Sequence, residues 1–340
     1  MLLHEVGLGP LVIVLEDCHW IDPLLRDLLE ELIRATASTP TLFVLAYRPA
    51  QAPGGGLGLM ELAQFDEIVL HELGGDAARE VAGTKITQLC NVGAIFAHEL
   101  VELVVERAQG NPFYLEELLS YMHGLCVDPS DVGAVRAAHV PDSLQRLMLG
   151  RLDMLPEAPR NALKIASVIG RHFDTPSVHG VRADLGTLDE IDARLELGAR
   201  ADLVAAVRIE DRSWLFRHVV TREVAYDSLP FAMRARLHDE VGRFVESGGE
   251  EAIERNLDLL AHHYMRGELD GKKREFTIRA GIVAQARYAN DAAVEHFRNA
   301  LPLLAEAEQP AILRRLGKVL ELGGHWAEAE AEYVQGGRPE

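Results

Sequence analysis

Five apolar residues in a row, Leu11-Val12-Ile13-Val14-Leu15, run without polar alternation into Glu16 and Asp17. An unbroken apolar run of this length predicts a fully buried parallel strand, and the acids mark its carboxyl end, where α/β proteins place their ligands. Pro23 opens a segment reaching Ala37 in which Leu24, Leu25, Leu28, Leu29, Leu32 and Ile33 recur at helical spacing. This predicts an amphipathic helix with proline at its first position. A second apolar run, residues 41–46, leads into Tyr47-Arg48-Pro49. Strand, helix, strand over so short a stretch is a βαβ unit, so the two strands are expected to lie parallel. A Gly/Pro-rich loop at 51–58 and a short strand at 67–73 are expected to close this part of the chain.

Beyond it the periodicity turns helical. Residues 76–89, 95–109 and 113–123 read as helices, with Gly110-Asn111-Pro112 breaking the chain before the third. Residues 124–140 are expected to be a linker. Three more helices, 143–152, 158–169 and 188–197, precede two short runs, 203–207 and 213–216, that suit a β-ribbon; three helices and a hairpin predict a winged-helix arrangement. Almost everything after Val219 is helical. Ala293 with Phe297, and Ala329 with Tyr333, repeat a small-and-aromatic pair at an offset of 36 residues. That is close to the roughly 34-residue period of tetratricopeptide repeats, in which a small residue lets paired helices approach and an aromatic fills the gap.

A chain of 340 residues exceeds one typical domain, and 48% hydrophobic with 26% charged residues is the composition of a folded protein. The longest apolar stretch is far short of a bilayer span and no signal peptide opens the chain, so a cytoplasmic location without membrane contact is expected. Cys18, Cys90 and Cys126 lack metal or disulfide spacing and are expected to be reduced. A net charge of −19 repels phosphate backbones and argues against direct nucleic-acid contact by this segment.

The chemistry concentrates in residues 11–23. A strand that delivers acids at its tip is how ATPases hold magnesium and polarise the attacking water, the Walker B role; the alternative is a strand ending in a solvated acidic turn. The segment resembles the ATPase modules of signal-transduction ATPases with numerous domains (STAND), as found with class III adenylyl cyclases and large bacterial transcription activators. Glu16, Asp17, His19, Trp20 and Asp22 match that family's strand, two acids and His-Trp-x-Asp turn. Tyr47-Arg48-Pro49 matches the next strand end. Arg107, Gly110, Asn111, Pro112, Phe113, Tyr114, Leu115, Glu116, Glu117 and Leu118 match an Arg-x-x-Gly-Asn-Pro-Phe-Tyr-Leu-Glu-Glu-Leu segment. The likeness continues through Val140 to Leu144, Arg151-Leu152, residues 166–173, Phe216-Arg217-His218 and Glu223 to Tyr226.

The resemblance implies a fold that is α/β followed by mostly α: the C-terminal half of a P-loop NTPase core (1–75), a helical lid (76–135), a winged-helix-like part (136–235) and tetratricopeptide-like repeats (236–340). It implies ATP or ADP with Mg2+ as ligands. Glu16 and Asp17 would serve the metal and its water, and which of them touches the metal stays open. Arg48 is a phosphate sensor or a partner in a surface salt bridge, and Pro112, with Gly110 and Asn111, packs near adenine or forms a plain helix-breaking turn. His218 contacts a phosphate or is a satisfied core histidine, and Trp20 is expected to anchor packing. The adjacent His262 and His263 point about 100° apart on a helix and are not expected to form a metal site.

One departure bears on all of this. The family grips nucleotide with a Gly-x-x-x-x-Gly-Lys-Ser/Thr loop, and the 340 residues contain no such sequence. The chain is expected to be a piece of a longer gene product in preference to a truncation that has lost hydrolysis, because the acids, the arginine and the Gly-Asn-Pro turn are intact. By itself it is expected to bind ATP weakly or not at all. The favoured function is a regulatory ATP-binding module whose repeats sense a protein partner or inducer and which can assemble when ATP is bound. The rival is a catalytically silent helical scaffold for protein–protein interaction. A stand-alone hydrolase built on Glu16, Asp17 and His19 lacks a nucleophile and an oxyanion site.

Overall fold

A computed structural model describes residues 9–21, 23–48, 65–90, 98–125, 127, 130–131, 133–134, 141, 143–208 and 210–336. Asp22, Pro49, the loop at 51–58, Cys126, Val140, Asp142 and much of the expected linker lie outside the described residues, as do the side chains of Trp20, Leu24 and Cys90. The chain divides into two compact units, Met1–His71 and Glu72–Glu340.

In the first unit, strands β1 (Leu11–Leu15) and β2 (Thr41–Leu45) flank helix α1 (Pro23–Ala35). The strands pair in parallel, from Leu11 against Thr41 to Leu15 against Leu45, as a βαβ connection requires. One face of this pair meets α1. Cys18 and Leu29 are its buried centre, with Leu15, Ile33, Phe43 and Leu45 packed around them. The other face is a correction to the sequence expectation of a fully buried strand. Val12, Val14, Leu42 and Val44 alternate onto a side that no described residue covers, and they are exposed. A period of two sends alternate side chains to opposite faces, so one covering helix satisfies only half of an all-apolar strand. A second correction concerns 67–73, which forms no strand. Nothing pairs with it as a sheet neighbour among the described residues, and Ile68 and Leu70 are exposed.

Among its described residues the second unit is mostly helical, with one small sheet. Helices α2 (Gly75–Cys90), α3 (His98–Ala108) and α4 (Pro112–Gly124) bury Ala82, Val104, Leu115 and Leu118 in a shared core. Helices α5 (Leu144–Asp153), α6 (Glu157–Ile169), α7 (Thr175–Val181) and α8 (Leu188–Arg200) follow. Thr187 and Glu190 cap the start of α8 reciprocally, which fixes its first turn. Strands β3 (His172–Asp174), β4 (Val204–Arg208) and β5 (Ser213–Phe216) make an antiparallel sheet with β5 in the middle. The expected ribbon is therefore present, and β3 is an additional edge. Leu163, Ala166, Ile191, Leu195, Val204 and Phe216 form the centre of this sheet-bearing core. Helices α9 (Val219–Asp227) and α10 (Phe231–Ser247) pack on it, with Leu237 and Val241 among its buried residues.

From α11 (Glu250–Arg255) and α12 (Leu257–Arg266) onward the chain is an array of helices. Pairs α13 (Asp270–Ala286) with α14 (Asn290–Ala300), and α15 (Gln309–Leu322) with α16 (Trp326–Gly336), repeat the same contact. A Cβ added at Gly281 would lie 2.7 Å from the Phe297 ring, and one at Gly317 would lie 2.6 Å from the Tyr333 ring. The small residue that matters thus sits on the first helix of each pair, opposite the aromatic on the second. Ala293 and Ala329 are buried beside it.

The same substitution at two helical glycines is expected to have opposite signs. Gly317→Ala drives a methyl into the Tyr333 ring and should lose about 1–3 kcal/mol of stability, the usual cost of overpacking. Gly271, with open space around it, should gain up to about 1 kcal/mol as alanine, from helix propensity alone. Urea unfolding of both variants checks this, and equal effects would show that the glycine–aromatic contact is not close-packed.

Candidate functional site

The carboxyl end of the parallel pair collects three of the residues singled out in the sequence. Glu16 and Asp17 follow β1 directly, and Arg48 lies three residues past β2. The strand ends are tied together: the Ala46 amide donates to Leu15 O and the Cys18 amide to Ala46 O, each at 2.9 Å. Asp17 takes left-handed backbone angles, φ 56° and ψ 33°, which Asp tolerates better than most residues. It opens a single 3-10 turn, Cys18–Trp20, and its side chain makes no capping hydrogen bond to that turn. The carboxylates of Glu16 and Asp17 are exposed. Arg48 is exposed too and pairs with no carboxylate among the described residues. Below this rim Cys18 is buried and free, its thiol donating to Leu15 O at 3.3 Å. Burial pushes that thiol above its ordinary pKa, which makes it a packing group rather than a nucleophile.

The remaining site residues come together in the second unit. Gly110 has φ +78°, and a Cβ there would sit 2.8 Å from Glu72 Cβ and 3.0 Å from Leu73 O; the Leu73 amide donates to Gly110 O at 2.8 Å. Both the angle and the close approach demand glycine. Asn111 caps α4, its side chain accepting from the Tyr114 amide at 3.0 Å, and Pro112 takes the first helical position, where its missing amide costs nothing. Tyr114 Oη donates to Pro141 O at 2.6 Å. Each residue of the Gly-Asn-Pro-Phe-Tyr run therefore has a local structural duty. Asn111 and Pro112 remain exposed at the turn.

Phe113 carries the turn to His218. Their rings lie 4.0 Å apart between centroids, tilted by 41°. His218 is half-buried at the start of α9. Burial holds it below its usual pKa; Asp202 and Glu116 oppose that shift, while Arg217 and Arg151 reinforce it. It is neutral near pH 7. Behind it stands a buried ion pair that sequence reasoning missed, although both residues lay inside quoted motifs. Arg151 of α5 meets Glu117 of α4, with side chains 7% and 4% exposed. Arg151 also donates to Ala201 O past the end of α8. Burial pulls its pKa to about 10, so it stays charged at neutral pH. The available signal was a Glu and an Arg on otherwise apolar helix faces, which a buried pair explains and isolated burial does not.

Removing one partner strands the other charge. Glu117→Gln or Arg151→Met alone should each cost about 3–5 kcal/mol, whereas Glu117→Leu with Arg151→Met should cost much less or stabilise. Chemical denaturation of the three variants measures this, and additive losses would mean that the two side chains act independently.

No protein-family model matches the chain. Among curated proteins it is similar to an uncharacterised protein of Rhizobium meliloti (strain 1021), 27% identical over 333 residues, covering 92% of this chain and 30% of the relative. The chain thus spans less than a third of that relative's length. Among solved structures it is similar to the crystal structure of a Signal Transduction ATPase with Numerous Domains (STAND) protein with a tetratricopeptide repeat sensor from Pyrococcus horikoshii. That similarity has a TM-score of 0.46 and 12% identity, over 96% of this chain and 49% of the other.

Proposed function

We propose that the chain is the downstream part of a nucleotide-dependent signalling module of the STAND type, in which ATP or ADP with Mg2+ sets the arrangement of the helical parts. The observation that carries this reading is the pair of exposed acids, Glu16 and Asp17, at the carboxyl end of a parallel strand, with Asp17 in a left-handed conformation and not used for capping. Exposed oxygens at a strand tip suit a hard cation that keeps several waters, and bound magnesium would supply charge neutralisation on phosphate oxygens. In this reading Glu16 and Asp17 hold the metal's water shell and Arg48 offers a positive group on the same rim. Gly110, Asn111 and Pro112 present a rigid exposed turn to a base, and neutral His218, fixed by Phe113, donates one hydrogen bond to an anionic group.

The donor set fits the metal side of such a site only. The phosphate-gripping loop is not among the 340 residues, so tight binding is proposed for a longer polypeptide that contains one. Val12, Val14, Leu42 and Val44 are exposed on a face that no described residue covers, and in this reading a further layer of an α/β sheet would bury them. The winged-helix assignment of the sheet-bearing core, the tetratricopeptide assignment of the array and the fourfold division at 75, 135 and 235 belong to the same proposal. So does a cyclase or DNA-binding output outside the segment.

A second reading is favoured by a different observation, the two glycine–aromatic helix pairs spaced by 36 residues. Stacked helix pairs form extended surfaces for protein partners, and a scaffold of this kind needs no nucleotide.

Calorimetric titration with ATP and ADP plus magnesium separates the two. The chain alone should give little or no heat, and a version extended through an in-frame Gly-x-x-x-x-Gly-Lys-Ser/Thr loop should bind, with Asp17→Ala weakening the MgATP complex by at least about tenfold. No binding by the extended chain would leave the scaffold.

A further inference from the structure

A buried histidine pair that plays no part in the site above lies where the array of helices meets the sheet-bearing core. His238 lies on α10, whose Leu237 and Val241 are buried in the sheet-bearing core. His263 lies on α12, whose Leu260 and Tyr264 belong to the next core along the chain. The two imidazoles are each 1% exposed and meet Nδ1 to Nδ1 at 2.9 Å, while His238 Nε2 faces Tyr226 Oη of α9 at 3.0 Å. Two ring nitrogens at that distance need one proton between them, so one donates and the other accepts. With both rings protonated, each Nδ1 carries a hydrogen and the contact becomes repulsive.

The surroundings make protonation harder still. The positive charges felt at the pair are those of Arg266 on α12 and Arg222 on α9, and His262 on α12 adds to them once it is protonated. His262 itself accepts from Arg266 Nη1 at 3.0 Å, which keeps its Nδ1 bare. No acid among the described residues contributes to the charge felt at the pair. On α10, Asp239 accepts the Glu268 amide at 2.9 Å through Oδ2, while its Oδ1 and Glu240 Oε2 are buried without hydrogen-bond partners among the described residues, and Glu246 takes Lys272 of α13 at 2.6 Å as well as the Tyr264 hydroxyl. Asp227 of α9 pairs with Arg234 of α10 at 3.1 Å.

We propose that the His238–His263 contact is an acid-sensitive clasp, which closes the joint between the sheet-bearing core and the helical array and releases it when both imidazoles take protons. Burial, and then the neighbouring positive groups, hold His238 at about 4 and His263 at about 3. Both lie below the 6.5 of an exposed histidine. The closed joint therefore binds fewer protons than the open one, so its stability is fully present above about pH 6.5 and falls as pH drops towards the folded values. Between pH 7.5 and pH 5.5 each histidine should shift the opening equilibrium by about tenfold, and the pair by about a hundredfold.

Hydrogen exchange on the full chain, corrected for intrinsic rates, reads this directly. Protection of α10 and α12 is expected to fall about a hundredfold from pH 7.5 to pH 5.5, while α6 and α8 change little. The double variant His238→Gln, His263→Gln should lose that pH dependence. Should it fail to fold, NMR titration of the wild-type histidine Cε1–H resonances decides: two rings that stay neutral at pH 5.5 until exchange protection collapses support the clasp. Unchanged protection at pH 5.5, a double variant that keeps the wild-type pH dependence, or rings that titrate near 6.5 with the joint still closed would each overturn it.

Discussion

Glu117 and Arg151 could not be buried singly, and much of the second unit is arranged around that fact. An isolated charge removed from water costs several kcal/mol even after relaxation, and the cost is offset only when the partner is in place and the remaining donors are satisfied. Helices α4 and α5 must therefore pack with these two side chains in register. The guanidinium's second bond, to Ala201 O, extends the requirement to the end of α8, from which β4 starts. One residue further on, Asp202 has φ 60° and pairs with Arg217 at 2.8 Å, immediately before His218. The ion pair is thus linked, through Ala201 and Asp202, to Arg217, the residue before His218.

Such a junction is cooperative. A hydrophobic contact between helices can slide by a fraction of an ångström and lose a little, but a buried salt bridge half broken leaves an uncompensated charge. The α4–α5 contact is consequently either formed or not, which is what a two-state element needs if something at the Gly110–Pro112 turn is to be felt by the helices beyond α9.

The sequence made the local elements legible wherever a single period was sustained: α1 from its leucines, α4 from Asn111-Pro112, and the ribbon of β4 and β5 from two short apolar runs. It misled where burial depends on what lies across a face. The run 11–15 is apolar on both sides, and from composition alone it reads as buried on both, yet α1 covers one side only. Residues 67–73 carry strand-forming side chains and form no strand, because pairing is a property of two segments. Contacts between distant helices left the weakest trace. The Ala and aromatic pairs were visible, but Gly281 and Gly317, whose missing side chains admit Phe297 and Tyr333, lie 16 residues upstream of those rings and matter only once the helices are side by side. For the site, residue types at strand and helix ends could be read directly, whereas their neighbours could not: Phe113 beneath His218 and Arg151 behind it are tertiary facts.

The two polar junctions of the sheet-bearing core differ in the way their physics demands. At one end the contact to α4 is an ion pair whose guanidinium, at about 10, keeps its charge through the physiological range. At the other end the contact to α12 is a neutral imidazole pair in a field of positive groups, within a chain whose net charge is −19. Acid that leaves the first junction's arginine untouched loads the second with charge of the same sign as the arginines beside it. A core held by one junction of each kind can keep its grip on the turn at Gly110 while loosening its grip on the array, so the two connections need not open together.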